Sequence, residues 1–479
     1  MKLYFEAEQF IKPSNARNGS LQSRIFNNGK LTNNPKHVYA LVFETLKYKP
    51  YILEVIKKSK IKQGLSHSKR LKISEELLLL LVHDLVFSKQ GRIQSGKHPI
   101  KEEILKHKTR LSAEFTKLKL RYKVKLTSEL PVESHDDETP VRWFRINTIK
   151  LDSQKFFEKH PFFKTLQPVA SFQEITEPGY IYCDEYIPNL FGIHPKEKLT
   201  STDAYKLGEV IIQDRASCFP AHILNEVSTN QHKQIIDATA APGNKTTHAA
   251  SYLANANGGV VYAFERDDKR VKILKTMCEK ATGKSDLIHV THADFTTTKP
   301  EDFPEVTGLI VDPSCSGSGI FGRSIDNQEQ ENDEEIDQER LAKLAAFQFT
   351  IVKHALSFPL ANRVVYSTCS VHPHENERVV VDLLQDNQIK LQGWKLDTRE
   401  NVLKDWPRRG WKEEFTSISN DDNEREKLAG GCVRSMPKED GGIGFFAACF
   451  VRGSANKNSN ELKQVQSDVE DFEEWNGFD

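Results

Sequence analysis

The sequence predicts an α/β protein whose larger part is a doubly wound, mostly parallel sheet, preceded by a small α+β domain and an N-terminal helical region. Three observations carry this. From about Gln234 onward, short apolar runs alternate with helical spacing, the pattern of parallel strands covered on both faces. From His37 to about Tyr122 the apolar spacing is helical throughout, as at Ile52, Val55 and Ile56 and again at Ile104, Leu111, Phe115 and Leu118. Between these regions Val141 to Thr148 alternates like a strand, and Asp152 to His160 reads as a short helix capped by Asp152.

The expected boundaries follow from composition. Residues 1–128 form the basic helical region, with residues 1–35, rich in Asn, Lys and Ser, expected to pack loosely. The acidic patch Glu133-Ser134-His135-Asp136-Asp137-Glu138 reads as a linker at the start of the small domain, 129–221. The sheet domain spans 222–454, and an acidic disordered tail covers 455–479. Strands are expected at Gln234 to Thr239, Gly259 to Phe264, Leu287 to His292, Gly308 to Val311 and Arg363 to Ser367. A late pair around Leu391 and at Phe445 to Val451 completes seven strands. Helices are expected at Lys245 to Leu253, Asp268 to Ala281, Gln338 to Ala355 and Glu375 to Leu384. There is no internal repeat.

Composition narrows the function classes. The chain has 479 residues, 38% hydrophobic and 28% charged, enough for two or three domains with their own cores. The apolar stretch Leu77 to Val82 is far too short to span a bilayer, and Met1-Lys2-Leu3-Tyr4-Phe5-Glu6 lacks the form of a secretory signal. Neither a membrane role nor export is expected. Seven cysteines without a C-x-x-C pair point to free thiols in a reducing compartment and argue against a metal site. The zero net charge hides an asymmetry, since from Lys47 to Lys125 basic residues outnumber acidic ones roughly three to one. Acidic residues concentrate at Asp326 to Glu339 and at Glu461 to Asp479. The basic region either offers a field to a polyanion or forms a solvated face, the ordinary meaning of lysine-rich helices.

In a doubly wound sheet, ligands bind beyond the carboxyl ends of the strands. The first strand runs into Asp237-Ala238-Thr239-Ala240-Ala241-Pro242-Gly243-Asn244-Lys245-Thr246, where small residues let the backbone approach a ligand. The G-x-G-x-x-G fingerprint is absent, which counts against a nicotinamide or flavin enzyme. Glu265 ends the second strand, suited to the two hydroxyls of a ribose, and Arg270 in the helix after it is placed in the same set. Asp294 ends the third, suited to an adenine amino group. Either acid alone reads equally well as a helix cap. Together with Asp312 at the fourth strand end they suit an adenosyl ligand without a pyrophosphate.

The fourth strand continues into Asp312-Pro313-Ser314-Cys315-Ser316-Gly317-Ser318-Gly319, and the fifth into Ser367-Thr368-Cys369-Ser370-Val371-His372-Pro373. Adjacent strands bring both cysteines to one rim. Cys218, Cys278 and Cys449 read as small buried hydrophobes, whereas Cys315 and Cys369 lie in polar turns. A disulfide between the two is disfavoured by a reducing compartment. Methylation of cytosine at carbon 5 needs such a pair. Carbon 5 is a poor nucleophile until a thiolate adds to carbon 6, a carboxyl near ring nitrogen 3 supports that addition, and a base must later remove the carbon 5 proton. Asp312 suits the carboxyl role and the cysteines the other two, without the chemistry choosing between them.

These residues carry a resemblance. From Gly208 to Val451 the chain strongly resembles the RNA cytosine-5 methyltransferases of the Sun type. The match covers Gln213-Asp214-Arg215-Ala216-Ser217, Ala240 to Thr246, Asp312 to Gly317, Thr368-Cys369-Ser370, Glu375-Asn376-Glu377 and Gly442-Ile443-Gly444-Phe445-Phe446. Upstream, Arg145-Ile146-Asn147-Thr148-Ile149-Lys150 is similar to the family's signature in its small RNA-recognition-like domain. Many relatives carry Cys at the position of Thr239 and Gly at that of Asn244; Asn244 and the Asp-Pro-Ser-Cys-Ser-Gly-Ser-Gly wording resemble the eukaryotic subgroup that modifies large-subunit ribosomal RNA. The resemblance implies a Rossmann-like S-adenosylmethionine-dependent methyltransferase domain and an RNA partner in preribosomes. It further implies a nuclear, nucleolar location, for which Lys57-Lys58-Ser59-Lys60 is a weak signal. It implies that Cys369 attacks, that Cys315 assists product release, and that Lys245 and Asp312 line the cytosine pocket. Two other readings compete: a ribosome-assembly factor with a silent methyltransferase fold, against which the five intact residues Cys369, Cys315, Asp312, Glu265 and Asp294 speak, and a DNA methyltransferase, which would carry Pro-Cys-Gln.

Overall fold

The computed structural model describes residues 1–11, 21–26, 28–66, 73–131, 139–227, 232–256, 258–283, 285–320 and 334–453. The expected linker at 133–138, most of the acidic loop and the tail from 455 lie outside them. The described chain forms two compact units, one within residues 1–131 and the other from Thr139 onward.

The N-terminal unit is a helical bundle. Its central helix, Glu75–Val82, has six consecutive buried residues from Leu77 to Val82, so it is apolar on every side and must sit inside other helices. Ser74 caps it by accepting from the Leu77 N–H, and Glu75 and Glu76 favour its N-terminal dipole. The helix Pro35–Lys47 starts by the same logic, with the Asn34 side chain accepting from the Lys36 N–H and Pro35 at the first position. Residues 1–35 do not pack loosely where they are described. Tyr4, Ala7, Phe10 and Ile11 of the helix Lys2–Ile11, and Leu21 and Ile25 of Leu21–Phe26, are buried in the bundle core. The Tyr4 hydroxyl donates to Asp84 at 2.5 Å and accepts from the Gln94 N–H at 2.7 Å, which gives buried polar groups their partners. Polar composition concealed an amphipathic face.

The second unit holds two sheets. The smaller orders its strands β2-β3-β4-β1-β5, with β1 Arg142–Ile146, β2 Gln167–Val169, β3 Tyr180–Cys183, β4 Leu190–Ile193 and β5 Val210–Ile212. Asp152 caps the helix Ser153–Lys159 as expected. One face of β1 packs Phe144 and Ile146 on Phe156 and Phe163, while Trp143 faces the larger sheet's core and its indole N–H donates to the Gly441 carbonyl at 2.8 Å. The small sheet is therefore docked by side chains of β1.

The larger sheet has eight strands in place of the expected seven: β6 Gln234–Asp237, β7 Val260–Glu265, β8 Ile288–His292, β9 Gly308–Val311, β10 Arg363–Thr368, β11 Lys395–Leu396, β12 Cys432–Ser435 and β13 Phe445–Val451. The order is β11-β13-β10-β9-β6-β7-β8, parallel from β10 to β8, with β13 antiparallel. On its outer side β13 is shared, by β12 along Phe445 to Ala448 and by β11 at Phe450 and Val451. The strand expected around Leu391 lies instead at Lys395–Leu396. Leu391 ends a short helix, Asn387–Leu391, and is 85% exposed, because Asp386 caps that helix and Gly393 turns the chain afterwards.

Alternation along the strands builds two cores. Ile236, Leu309, Val364 and Tyr366 face the helices Glu334–Leu356 and Glu377–Gln385. Ile235, Ile310, Val365 and Ala447 face Phe219–Asn225 and Asn244–Asn255. Each fully buried Ile, Leu, Val or Phe stabilises this arrangement by about 1.5–3 kcal/mol before entropy is counted. The order reverses at β6, which lies between β7 and β9, and the crevice opens there.

Candidate active site

All thirteen residues singled out in the sequence lie on the carboxyl ends of β6 to β10 or in the loops and helix starts directly after them. Asp237 ends β6. It is buried, and burial pushes its carboxyl up to about 6, although the Thr246 hydroxyl donating at 2.7 Å opposes that shift. Ala240, Ala241 and Pro242 carry the chain across the crevice to Gly243, which precedes the helix Asn244–Asn255 with φ +111°. A side chain there would be strained and would press on Leu274 and Met277. Asn244 has its Oδ1 buried without a hydrogen-bond partner among the described residues.

Glu265 ends β7 and is 5% exposed. Its Oε1 accepts from the Asp267 N–H at 3.0 Å, and Oε2 lies 3.5 Å from Arg270. Arg270, half exposed, also donates to the Ala241 carbonyl at 2.6 Å and so ties the β7 end to the β6 loop. Asp294 follows β8 and acts as a cap: its Oδ1 accepts from the backbone N–H and hydroxyl of Thr296, and the hydroxyl, helped by the backbone N–H, lowers its carboxyl against the opposing effect of burial. The cap engages Oδ1, and Oδ2 lies 3.6 Å from Arg266.

Asp312 follows β9 and faces Lys245 across the crevice, Oδ2 to Nζ 2.7 Å, while its Oδ1 accepts from the Ser367 hydroxyl at 2.6 Å. Lys245 also donates to the Ser217 hydroxyl at 3.2 Å. Burial pulls the Lys245 ammonium down, but the Asp312 carboxylate, with Cys369 and Asp237 beyond it, outweighs burial and leaves it raised. Cys315 and Cys369 come together as expected, their sulfurs 3.0 Å apart and unbonded. The hydrogen bond to Cys369 and then burial push the Cys315 thiol well up, with the charges of Cys369, Glu375 and Asp312 adding to the effect. Cys218, Cys278 and Cys449 are buried, and burial raises each thiol, as befits inert core residues.

The loops bearing the two sulfurs are braced by groups given no role from sequence. Glu375, Asn376 and Glu377 are all fully buried. The Asn376 side chain donates to the Ser370 carbonyl at 2.9 Å and accepts from the Thr368 hydroxyl at 2.5 Å, fixing both neighbours of Cys369. Glu377 forms a two-point ion pair with Arg434, whose Nη1 donates to the Val371 carbonyl at 3.0 Å. From the small sheet, Arg145 reaches Gln213 and Thr247 at 2.7 Å each and holds the start of the crevice helix. Its motif was visible in the sequence, but its target was not. Gln348, which lies between Phe347 and Phe349 in the helix Glu334–Leu356 and donates to Glu375 Oε1 at 3.1 Å, left no signal at all.

Against this geometry stand the known proteins. The family model described as 16S rRNA methyltransferase RsmB/F matches residues 223–451. A second, the N-terminal domain of NOL1/NOP2/Sun domain family member 5, matches residues 36–130. The 25S rRNA (cytosine-C(5))-methyltransferase rcm1 of Schizosaccharomyces pombe is 41% identical over 453 residues, covering 94% of this chain and 91% of that protein. The chain belongs to the Sun-type RNA cytosine-5 methyltransferase family. A second Sun-type relative, the 28S rRNA (cytosine-C(5))-methyltransferase of Mus musculus, is 32% identical over 464 residues, covering 94% of this chain and 91% of that protein. Among solved structures, a methyltransferase homologue from Pyrococcus horikoshii has a TM-score of 0.51 at 21% identity, covering 67% of this chain and 88% of its own. That likeness shows the Rossmann-like methyltransferase fold and nothing finer. Among the described residues no helix is long and apolar enough to cross a membrane, and no group of three or more metal-ligating side chains gathers.

Proposed function

We propose that this protein methylates carbon 5 of a cytosine in large-subunit ribosomal RNA, with S-adenosylmethionine as donor and Cys369 as covalent nucleophile. The observation that carries the reading is the pair of sulfurs 3.0 Å apart beside the Lys245–Asp312 ion pair. The surroundings of the two thiols differ. The hydrogen bond to Cys369 and then burial disfavour charge on Cys315, whereas Cys369 lies within the field of the Lys245 ammonium.

The crevice residues fit the donor: Glu265 for the ribose hydroxyls, Asp294 for the adenine, the Ala240 to Lys245 loop with Asp237 and Arg270 around the rest. The Asn244 Oδ1, buried without a partner among the described residues, supports a ligand at this helix start. When bound, S-adenosylmethionine supplies an electrophilic methyl group. The Cys369 thiolate adds to carbon 6, and Asp312, oriented by Ser367 and Lys245, stabilises the ring as electron density moves to carbon 5. Carbon 5 takes the methyl. A base then removes the carbon 5 proton, the C–H electrons re-form the ring double bond, and the thiolate leaves carbon 6 with help from Cys315.

The names of the relatives support the ribosomal substrate, and a nuclear, nucleolar location on preribosomes is the reading that goes with such a substrate. The small sheet and the basic helical unit are read as its RNA-facing parts. Incubation with labelled substrate RNA and cofactor, followed by a denaturing gel, tests the mechanism. Cys369→Ala should give neither methylation nor a covalent species, Cys315→Ala should accumulate a denaturant-resistant adduct, and the double variant none. An adduct from Cys369→Ala and none from Cys315→Ala would reverse the roles. Bisulfite sequencing of large-subunit RNA from cells with and without the protein tests the substrate.

A further inference from the structure

Glu375 is a buried carboxylate that the chemistry above does not use. It is fully buried and makes no ion pair among the described residues, an arrangement that costs free energy unless neutral donors hold it. Its Oε1 accepts from the Ser316 N–H at 2.8 Å and from Gln348 Nε2 at 3.1 Å; its Oε2 is buried without a partner among the described residues. Gln348 Nε2 donates as well to the Ser314 carbonyl at 3.1 Å, and the Tyr366 hydroxyl ties Gln348 Oε1 at 3.2 Å to the Glu375 carbonyl. The residues on either side of Cys315 are thus gripped by one clamp, anchored in the helix Glu334–Leu356 and in the turn after Cys369.

The turn bearing Cys369 keeps supports outside the clamp. Asn376 holds Thr368 and Ser370, and Arg434 holds Val371. The far end of the Cys315 loop also touches that turn, the Gly319 N–H donating to the Cys369 carbonyl at 3.0 Å and the Ser318 hydroxyl accepting from the Val371 N–H at 3.0 Å. Loss of the Glu375 carboxylate frees the backbone on either side of Cys315, while Asn376 and Arg434 still hold the Cys369 turn. We propose that Glu375, acting with Gln348, is a positioning residue that aligns Cys315 for release of methylated RNA from Cys369 and is dispensable for addition of Cys369 to the cytosine. The proposal rests on the function argued above.

The test uses the full-length protein with labelled substrate RNA and S-adenosylmethionine. Multiple-turnover methylation and the denaturant-resistant adduct are followed together. Glu375→Ala should slow turnover roughly tenfold to a hundredfold, the range for lost hydrogen bonds to a charged group. Its first methyl transfer should stay fast, and adduct should accumulate. Glu375→Gln keeps an oxygen that accepts from Ser316 and Gln348, so it should clear adduct like wild type. A merely structural residue would depress addition and release together. Adduct in Glu375→Ala no higher than in wild type, or equal accumulation in both variants, would overturn the proposal. Should Glu375→Ala fail to fold, Gln348→Ala opens the other arm of the clamp and is read the same way. The Cys315→Ala control separates the two levels: if it traps no adduct, the reading of the site itself fails; if it does, the result for Glu375 stands alone.

Discussion

Replacing Glu377 by Gln tests whether the turn after Cys369 depends on a buried ion pair. Glu377 and Arg434 are 0% and 1% exposed, and they meet through Nε to Oε1 at 2.6 Å and Nη2 to Oε2 at 2.5 Å. In Glu377→Gln the side-chain oxygen still accepts from Arg434 Nε and from the Trp411 N–H, which reaches Oε1 at 3.1 Å in the wild type. The new amide nitrogen faces Nη2, donor against donor. One charge-assisted hydrogen bond, about 1.5–3 kcal/mol, is lost. The guanidinium remains buried with the Val371 carbonyl and the Trp411 ring, 3.6 Å from its centroid, as partners. Stranding a buried charge brings the expected cost to about 3–5 kcal/mol, or a fall in Tm of roughly 4–7 °C for a unit of this size. Thermal and urea unfolding measure it. The double variant Glu377→Leu with Arg434→Met removes both charges and should lose less than Glu377→Gln alone, because desolvation is relieved along with attraction. A cost below about 1 kcal/mol for Glu377→Gln, the range of exposed pairs, would show that water reaches the pair and would refute the reasoning.

Three further outcomes are expected. Glu265→Ala should weaken S-adenosylmethionine binding roughly tenfold to a hundredfold; calorimetry with unchanged affinity would remove Glu265 from the ribose site. Asp237, pushed up to about 6 from 3.8 by burial, binds its proton more tightly folded than unfolded, so its stabilising contribution is full below about pH 4 and is lost as pH rises through 6. Asp237→Asn should therefore gain roughly 3 kcal/mol relative to wild type between pH 4 and pH 7.5, and urea titrations giving a pH-independent difference would contradict the shift. Lys57 and Lys60 are exposed and make no ion pair among the described residues, unlike Lys58, which pairs with Glu54 at 2.6 Å; neutralising both should flatten the dependence of log RNA affinity on log salt, whereas an unchanged slope marks a solvated face.

The sequence by itself determined the parallel strands of the larger sheet and which residues gather at their carboxyl ends. Those signals are local: apolar strands of four to six residues each end in a short polar turn, and period two divides Ile235 from Ile236 before any contact is known. It also distinguished Cys315 and Cys369 from the core thiols, because polar turns surround them. It misjudged what depends on partners distant in the chain. Tyr4 is buried only because Asp84 and Gln94 meet its hydroxyl, and β12 exists only because β13 offers Phe445 to Ala448 as a free edge. Tertiary structure alone set Glu375, Gln348, Arg434 and Arg145 against the reacting loops. A buried charged or amide side chain carries no periodic signal, since its burial is decided by the partner that satisfies it, and that partner lies 27 residues away for Gln348 with Glu375, 57 for Glu377 with Arg434 and 102 for Arg145 with Thr247.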